Sequence, residues 1–222
     1  MKEIIIAPSI LSADFADLKN EIKKVENAGA KWLHIDVMDG KFVPNITIGI
    51  PVVKSIRKIT NMVLDVHLMI VEPIKYVKDF ADAGSDYITV HIEACKDNAE
   101  ETINAITHEN VKAGISIKPQ TPVNEIEPLL KKVDLVQIMT VEPGFGGQQF
   151  MEDCLHKARE IHDYAEKYGF NFHIETDGGI NSQTAKLAIN AGVNVLVAGS
   201  YVYNAINIEE AIKSLKEGYT NQ

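Results

Sequence analysis

Histidine and aspartate side chains stand near the ends of short apolar runs in this sequence. The segment HIDVMDGKFVPN begins with His34 and contains Asp36, and DVHLM places His67 at a similar point of another run. A third run, HIETDGG, ends near Asp177. Imidazole and carboxylate groups are typical ligands of Zn²⁺, Fe²⁺, Mn²⁺ or Co²⁺, and they do not discriminate sharply among these ions.

The spacing of these residues predicts where they point if the runs are β-strands. Side chains alternate along a strand, so His34 and Asp36 share one face of the first strand, and Asp65 and His67 share one face of the second. If both faces point to one interior, Asp177 can complete a four-ligand set. Each histidine alone is more simply explained as a packed core residue. Together they predict a metal site, because burying unpaired carboxylates without a cation costs several kcal/mol.

Eight short apolar runs recur along the chain and are predicted to be strands: EIIIAPS, KWLHIDVM, MVLDVHLM, DYITVHIE, VKAGISIKP, VDLVQIMTV, FNFHIETDGG and VNVLVAGS. Helical patterns such as ADLKNEIKKVENAGA lie between them, and the unit repeats about every 27 residues. Strict alternation indicates an α/β protein with a parallel sheet, and eight units close into a (β/α)₈ TIM barrel. A doubly wound open sheet is the alternative, but no GxGxxG follows the first strand. We expect one barrel domain over residues 1–222.

In a TIM barrel the chemistry lies at the carboxyl ends of the strands. Ser9 is expected there. Asp65 and Glu175 lie one pleat below the rim, where a carboxylate either accepts the second N–H of a ligating histidine or forms a structural ion pair. His91 and Glu93 are expected at the same rim, but His91 stays outside the predicted ligand set because four ligands are already present.

Three glycine-rich segments follow the last three predicted strands. Their backbone N–H groups can turn toward an anion at little steric cost, and phosphate commonly binds at this position in TIM barrels. Such a device suits a chain of formal charge −9, which offers no general basic surface to nucleic acid or to an anionic membrane. The predicted phosphate-binding residues are Gly144, Phe145, Gly146, Gly147, Gly178, Gly179, Gly199 and Ser200.

The cysteine content and the hydropathy pattern indicate where the protein works and which partners it has. Two cysteines without CxxC spacing favour neither a disulfide framework nor a thiolate zinc site. No apolar run approaches the roughly 18 residues that span a bilayer, and the start lacks a signal-peptide pattern. We expect a cytoplasmic protein with a small-molecule substrate and no nucleic-acid or membrane partner. We also expect a homo-oligomer, although no helix shows an apolar face that identifies an interface.

Over essentially the whole chain the sequence resembles the ribulose-phosphate 3-epimerase family. The motifs that carry the resemblance are APSILSAD, HIDVMDGKFVPNITIG, DVHLM, MTVEPGFGGQ, DGGI and AGSYVY. The resemblance implies an isomerase that interconverts D-ribulose 5-phosphate and D-xylulose 5-phosphate in the pentose phosphate pathway, on a (β/α)₈ barrel with one divalent metal ion. It implies that His34, Asp36, His67 and Asp177 hold this metal.

The resemblance also implies roles in the reaction. Asp36 and Asp177 would be the acid/base pair, Ser9 and His67 would contact the substrate, and the three glycine loops would hold its phosphate. Epimerisation next to a carbonyl needs a base on one face, an acid on the other and stabilisation of the enediolate between them, which these residues supply. Asp39 lies off the interior row and is interpreted as a turn or capping residue.

The methionines of the predicted interior rows have two interpretations. They either surround the site as a soft layer that excludes water or simply fill the core. These residues are Met38, Met69 and Met139.

Three other functions are considered. An epimerase of allulose 6-phosphate would share the metal cluster, but Gly49 and the uninterrupted DGGI resemble the pentose enzyme. A decarboxylase of keto sugar phosphates would need an Asp-x-Lys strand motif, where this chain has Val37 and Met38. A non-catalytic phosphate-binding barrel would not need the complete acid/base and metal set.

Overall fold

The computed structural model describes residues 2–217 as a barrel of eight parallel strands. All eight predicted strands are confirmed: β1 (Ile5–Pro8), β2 (Trp32–Met38), β3 (Val63–Met69), β4 (Tyr87–His91), β5 (Lys112–Ile117), β6 (Leu135–Met139), β7 (His173–Asp177) and β8 (Val195–Ala198). Consecutive strands pair in parallel, and β1 pairs with β8. A parallel bridge between Ser9 and His34 joins β1 to β2 and closes the ring. The predicted TIM barrel is confirmed.

Helices connect the strands on the outside of the barrel. They are α1 (Leu18–Asn27), α2 (Ile50–Arg57), α3 (Val77–Asp82), α4 (Ile92–Cys95), α5 (Ala99–His108), α6 (Leu155–Tyr168), α7 (Ser182–Asn190), α8 (Ser200–Tyr203) and α9 (Ile208–Lys216). The strict alternation that the sequence predicts is wrong at one point. Within the described chain, only 3₁₀ turns at Val123–Glu125 and Glu127–Lys132 join β5 to β6. Pro122 precedes the first of these turns, and Pro128 stands among the opening residues of the second.

The interior of the barrel is layered by polarity. At the amino-terminal end Trp32 packs against Tyr87, with ring centroids 4.6 Å apart, and against His173 at 5.3 Å. The middle holds fully buried polar side chains, among them His34, Asp65, His67, His91, Gln137 and Glu175. Met38 and Met69 lie above them at the carboxyl end and pack with Val43. The polar layer is therefore enclosed by apolar side chains at its lower end and partly at its upper end.

The main hydrophobic core lies between the strands and the helices, where the outward side chains of the strands meet the apolar faces of the helices. Lys157 of α6 is an exception to this apolar character, since only 2% of it is exposed. Its ammonium group donates to the carbonyl oxygens of Lys118, Pro119 and Thr121 at 2.7–2.9 Å. Lys157 thus fixes the loop that follows β5. No helix within residues 2–217 has the length and apolar character needed to cross a membrane.

Candidate metal centre and active site

The four predicted metal ligands converge at the carboxyl end of the barrel. The register pairs Asp36 on β2 with His67 on β3, and Asp177 ends β7. His34 Nε2 lies 3.3 Å from Asp36 Oδ1 and 3.9 Å from Asp177 Oδ2. His67 Nδ1 lies 3.1 Å from Asp36 Oδ1 and 3.7 Å from Asp177 Oδ2. These side chains therefore lie together, as the alternation of side chains along the strands predicts.

The donor set fits a divalent metal ion. Its four ligand atoms all lie within 4.8 Å of one another. Bonds of about 2.0–2.1 Å in tetrahedral geometry separate ligand atoms by about 3.3 Å, which is close to the separations found here. His34 Nε2 is fully buried and has no hydrogen-bond partner among the described residues, although it points at the two carboxylates. A cation between these atoms would satisfy it.

Neighbouring side chains orient the cluster from outside. Asp65 Oδ2 lies 2.6 Å from Nδ1 of His34, so the carboxylate accepts this N–H and leaves Nε2 to face the cluster. Ser9 Oγ donates to Asp36 Oδ2 at 2.6 Å. Asp65 therefore contacts the second ring nitrogen of His34, as both alternatives for this carboxylate require. Glu175 lies 3.9 Å from the same nitrogen and makes no hydrogen bond to it within the described structure.

A second support, behind His67, was missed by the sequence analysis. His67 Nε2 lies 2.8 Å from His91 Nε2, and His91 Nδ1 lies 3.1 Å from Glu93 Oε2. Both rings are fully buried and stacked, with centroids 4.9 Å apart. Leaving His91 out of the ligand set agrees with the geometry, because His91 contacts His67 rather than the ligand cluster. The sequence signal was the HIE spacing at the end of β4, which puts His91 on the interior row.

Burial and neighbouring charges shift the pKa values of the two aspartates in opposite directions. Burial raises the pKa of Asp177 to about 6, and the negative charge of Asp36 adds to this rise. Burial acts in the same direction on Asp36, but His34 and His67 outweigh it and bring the pKa of Asp36 below its ordinary value. Burial and the charge of Asp65 raise the pKa of Glu175 well above its ordinary value. Carboxyl groups with separated pKa values are typical of acid/base pairs.

An open cavity of about 350 Å³ lies above the cluster. Asp36 and Asp177 form its floor together with Met38, Met69 and Met139. All eight predicted phosphate-binding residues line it: Gly144, Phe145, Gly146, Gly147, Gly178, Gly179, Gly199 and Ser200. Ser12, Asn181 and Asn204 line it too and were not predicted. No lysine or arginine lies among the described residues of its wall, so an anion there must be held by backbone and neutral groups.

The loop after β2 packs against the glycine loop that forms one wall of this cavity. Asp39 Oδ1 accepts from the N–H groups of Lys41 and Phe42 at 2.8 and 2.9 Å, and its Oδ2 accepts from Val71 N–H at 2.9 Å. The predicted turn role of Asp39 is confirmed. Asn45, in the same loop, donates to the carbonyl oxygen of Gly144 at 3.0 Å and so supports this wall from outside.

Comparison with known proteins gives consistent results. Residues 5–203 match the model of the "Ribulose-phosphate 3 epimerase family". The chain is 52% identical to a ribulose-phosphate 3-epimerase of Bacillus subtilis, over 96% of this chain and 98% of that protein. It is 49% identical to a chloroplastic ribulose-5-phosphate-3-epimerase of Arabidopsis thaliana, over 96% of this chain and 76% of that protein.

Solved structures of more distant proteins share the fold. A 3-hexulose-6-phosphate synthase from Salmonella typhimurium superposes with a TM-score of 0.71 at 16% identity, over 97% of this chain and 98% of that one. A 3-keto-L-gulonate-6-phosphate decarboxylase from Vibrio cholerae superposes with a TM-score of 0.69 at 16% identity, over 98% and 97%. At this identity they bear on the barrel fold alone.

Proposed function

The chain belongs to the ribulose-phosphate 3-epimerase family, and we propose that Asp36 and Asp177 are the two groups that transfer protons in its reaction. It is an isomerase that acts on a carbohydrate phosphate and interconverts D-ribulose 5-phosphate and D-xylulose 5-phosphate. The observation that carries the assignment is the position of the two carboxylates. They reach the floor of one cavity from β2 and β7, on different sides of the barrel.

Inversion at C3 requires one group to remove the proton from one face and another to return a proton to the opposite face. Two carboxylates from different strands can flank the carbon in this way. Ser9 donates to Asp36 Oδ2 and holds this carboxylate in place. His34, Asp36, His67 and Asp177 would hold a divalent ion, which would supply Lewis acidity toward the negative charge that develops when the proton is removed. Met38, Met69 and Met139 reduce the access of water to the reacting carbon.

We propose that the glycine loops after β6, β7 and β8 bind the phosphate through backbone N–H groups. Gly179 is the most constrained of these positions. Its φ is +67°, and a Cβ atom there would lie 2.5 Å from Phe150 N and 2.7 Å from Phe150 Cα. Any side chain must push the loop of β7 away from the loop of β6, which together form one wall of the cavity.

Gly179→Ala is expected to raise KM for the sugar phosphate by at least about tenfold, because a misplaced group in a binding site costs on the order of 1–3 kcal/mol. Steady-state kinetics measure this effect. Gly169→Ala is the matched control. Gly169 also has a positive φ, +71°, but ends α6 with no atom within 4 Å of a Cβ. Both variants bear a similar cost of positive φ, and only Gly179→Ala adds a clash in the cavity wall, so equal KM values in the two would contradict the phosphate assignment.

Turnover of two sugar phosphates tests the proposed function. Purified protein is assayed with D-ribulose 5-phosphate and with allulose 6-phosphate at equal concentrations. We expect the pentose phosphate to have the higher kcat/KM, and faster turnover of the hexose phosphate would overturn the assignment. Release of carbon dioxide from keto sugar phosphates is followed in parallel and is expected to be absent, because the Asp-x-Lys motif is replaced by Val37 and Met38 on β2.

Finer proposals concern the ion, the oligomeric state and the setting of the enzyme. The resident ion is one of Zn²⁺, Fe²⁺, Mn²⁺ and Co²⁺, since the mixed imidazole and carboxylate donors suit all four. The enzyme is a cytoplasmic homo-oligomer that acts within the pentose phosphate pathway and binds neither nucleic acid nor membrane. Support for these proposals comes from the acidic composition and the family of the chain. Metal analysis and light scattering of the purified protein test the first two.

A further inference from the structure

We propose that Glu93 sets the tautomer of His67 through His91, so that the lone pair on His67 Nδ1 faces the metal site. Glu93 is a positioning residue in this proposal. It lies outside the cavity and contacts none of the four metal ligands. The inference rests on the metal site proposed above, and its test is chosen to be separable from a test of that site.

The carboxylate of Glu93 makes three hydrogen bonds. Its Oε1 accepts from the backbone N–H of Lys118 at 2.8 Å and from the hydroxyl of Thr121. An ionised carboxylate has no proton to give, so its Oε2 can only accept from His91 Nδ1, 3.1 Å away. His91 must therefore carry its proton on Nδ1.

The direction of the hydrogen bond between His91 and Glu93 determines the direction of the one between His67 and His91. His91 is fully buried, which favours its neutral form. A neutral imidazole that is protonated on Nδ1 has a lone pair on Nε2. The Nε2 of His67, 2.8 Å away, must then be the donor. A neutral His67 protonated on Nε2 carries its lone pair on Nδ1, which lies 3.1 Å from Asp36 Oδ1 and 3.7 Å from Asp177 Oδ2.

The opposite tautomers make the alternative clear. If His67 were protonated on Nδ1, it would donate to Asp36, and its Nε2 would accept from His91. His91 Nδ1 and Glu93 Oε2 would then be two acceptors 3.1 Å apart, which is repulsive. Glu93 opposes this state, in which a proton occupies the atom of His67 that a metal ion needs. In the proposed state His67 Nδ1 also faces an acceptor, Asp36 Oδ1, at 3.1 Å, but the amide nitrogen of Gln137 lies 3.4 Å from this Nδ1 and can donate to its lone pair.

The isosteric change Glu93→Gln is expected to reverse the direction of the hydrogen bonds that run from residue 93 through His91 to His67. The amide oxygen stays on the side of the Lys118 N–H, because this backbone donor cannot turn away, so the amide NH₂ takes the place of Oε2 and donates to His91 Nδ1. His91 then donates from Nε2, and the proton of His67 moves to Nδ1. Partners that orient a metal ligand typically affect metal affinity 10–100-fold, so we expect the Kd for Co²⁺ to rise by about this factor.

Co²⁺ titration of metal-free protein, followed by visible absorption, measures the affinity of the wild type and of Glu93→Gln. Glu72→Gln is the matched control, since it removes one charge from the exposed loop after β3, where Glu72 pairs with Lys75. We expect its Kd to stay within about twofold of the wild type. Equal affinities of the wild type and Glu93→Gln would overturn the proposal. If the wild type binds no Co²⁺, the metal site itself is wrong, which is a different result.

Long-range ¹H–¹⁵N NMR of the metal-free wild type gives a second readout that needs no variant to fold. We expect His91 to be protonated on Nδ1 and His67 on Nε2, with both reversed in Glu93→Gln. A merely structural role of Glu93 would leave the tautomers unchanged. Finding His67 protonated on Nδ1 in the wild type would overturn the inference.

Discussion

Asp177→Asn and Asp36→Asn are each expected to lower the rate of epimerisation by at least about 10³-fold, since positioned acid/base groups contribute 10²–10⁴-fold and each aspartate is also a proposed metal ligand. The two substrates should differ, however, when exchange of the C3 hydrogen with solvent is followed instead of epimerisation. With one base removed, the remaining carboxylate still faces the C3 proton of one of the two sugar phosphates. Each variant should therefore exchange this hydrogen with solvent for one substrate only, and the two variants should differ in which substrate.

The measurement is ¹H NMR of each sugar phosphate in D₂O, at metal saturation verified by elemental analysis. Asp39→Asn is the matched control within the same motif. Its carboxylate accepts three backbone N–H bonds and does not line the cavity, so we expect reduced stability with kcat within about tenfold of the wild type. Exchange of both substrates by one single variant, or an active double variant, would contradict the two-base assignment.

Removal of the metal ion is expected to lower kcat/KM by about 10³-fold or more, because Lewis acid stabilisation of the developing charge is worth several kcal/mol. The donor set gives the physical reason why His34, Asp36, His67 and Asp177 cannot substitute for the ion by themselves. Without a cation, Asp36 and Asp65 outweigh burial and raise the pKa of His34, and burial raises the pKa of Asp177 to about 6. Protons therefore bind more readily to atoms that would otherwise hold the metal.

Dialysis against a chelator, elemental analysis and an epimerase assay test this prediction together. Activity should return on addition of Zn²⁺, Mn²⁺, Co²⁺ or, without oxygen, Fe²⁺, and the ion that restores it at the lowest concentration is a candidate for the native one. A sample dialysed against chelator already saturated with Zn²⁺ is the control. Full activity in protein that is free of metal by analysis would exclude the role assigned to the four ligands.

The sequence predicted the barrel and the four-ligand cluster because both depend on short-range patterns. Side chains alternate between the two faces of a strand, so His34, Asp36 and His67 point to the interior of the barrel from β2 and β3. The TIM barrel then brings Asp177 to the same end, since all parallel strands of a barrel finish at one rim. Asp39 was separated from Asp36 by the same parity, and its hydrogen bonds to the loop bear this out.

Other features depend on contacts that no local pattern encodes. The link between His91 and His67 requires the relative register and ring orientation of β3 and β4. Its continuation to Glu93 requires the loop after β5, which Lys157 holds from a different helix. Lys157 itself would be expected on the exposed face of α6, because lysine is rarely buried without a partner. Its partners are carbonyl oxygens of a distant loop, which become available only when the barrel is closed.

The aromatic layer at the amino-terminal end of the barrel has a practical consequence. Trp32 is the only tryptophan of the chain, 6% exposed, and it lies in this layer against Tyr87 and His173, two residues before His34 on the same face of β2. Intrinsic fluorescence therefore has a single tryptophan emitter, which is buried in the folded barrel. Its emission should shift to longer wavelength when the barrel melts and water reaches the ring. An inactive variant that keeps the emission of the buried ring has lost its chemistry and kept its fold.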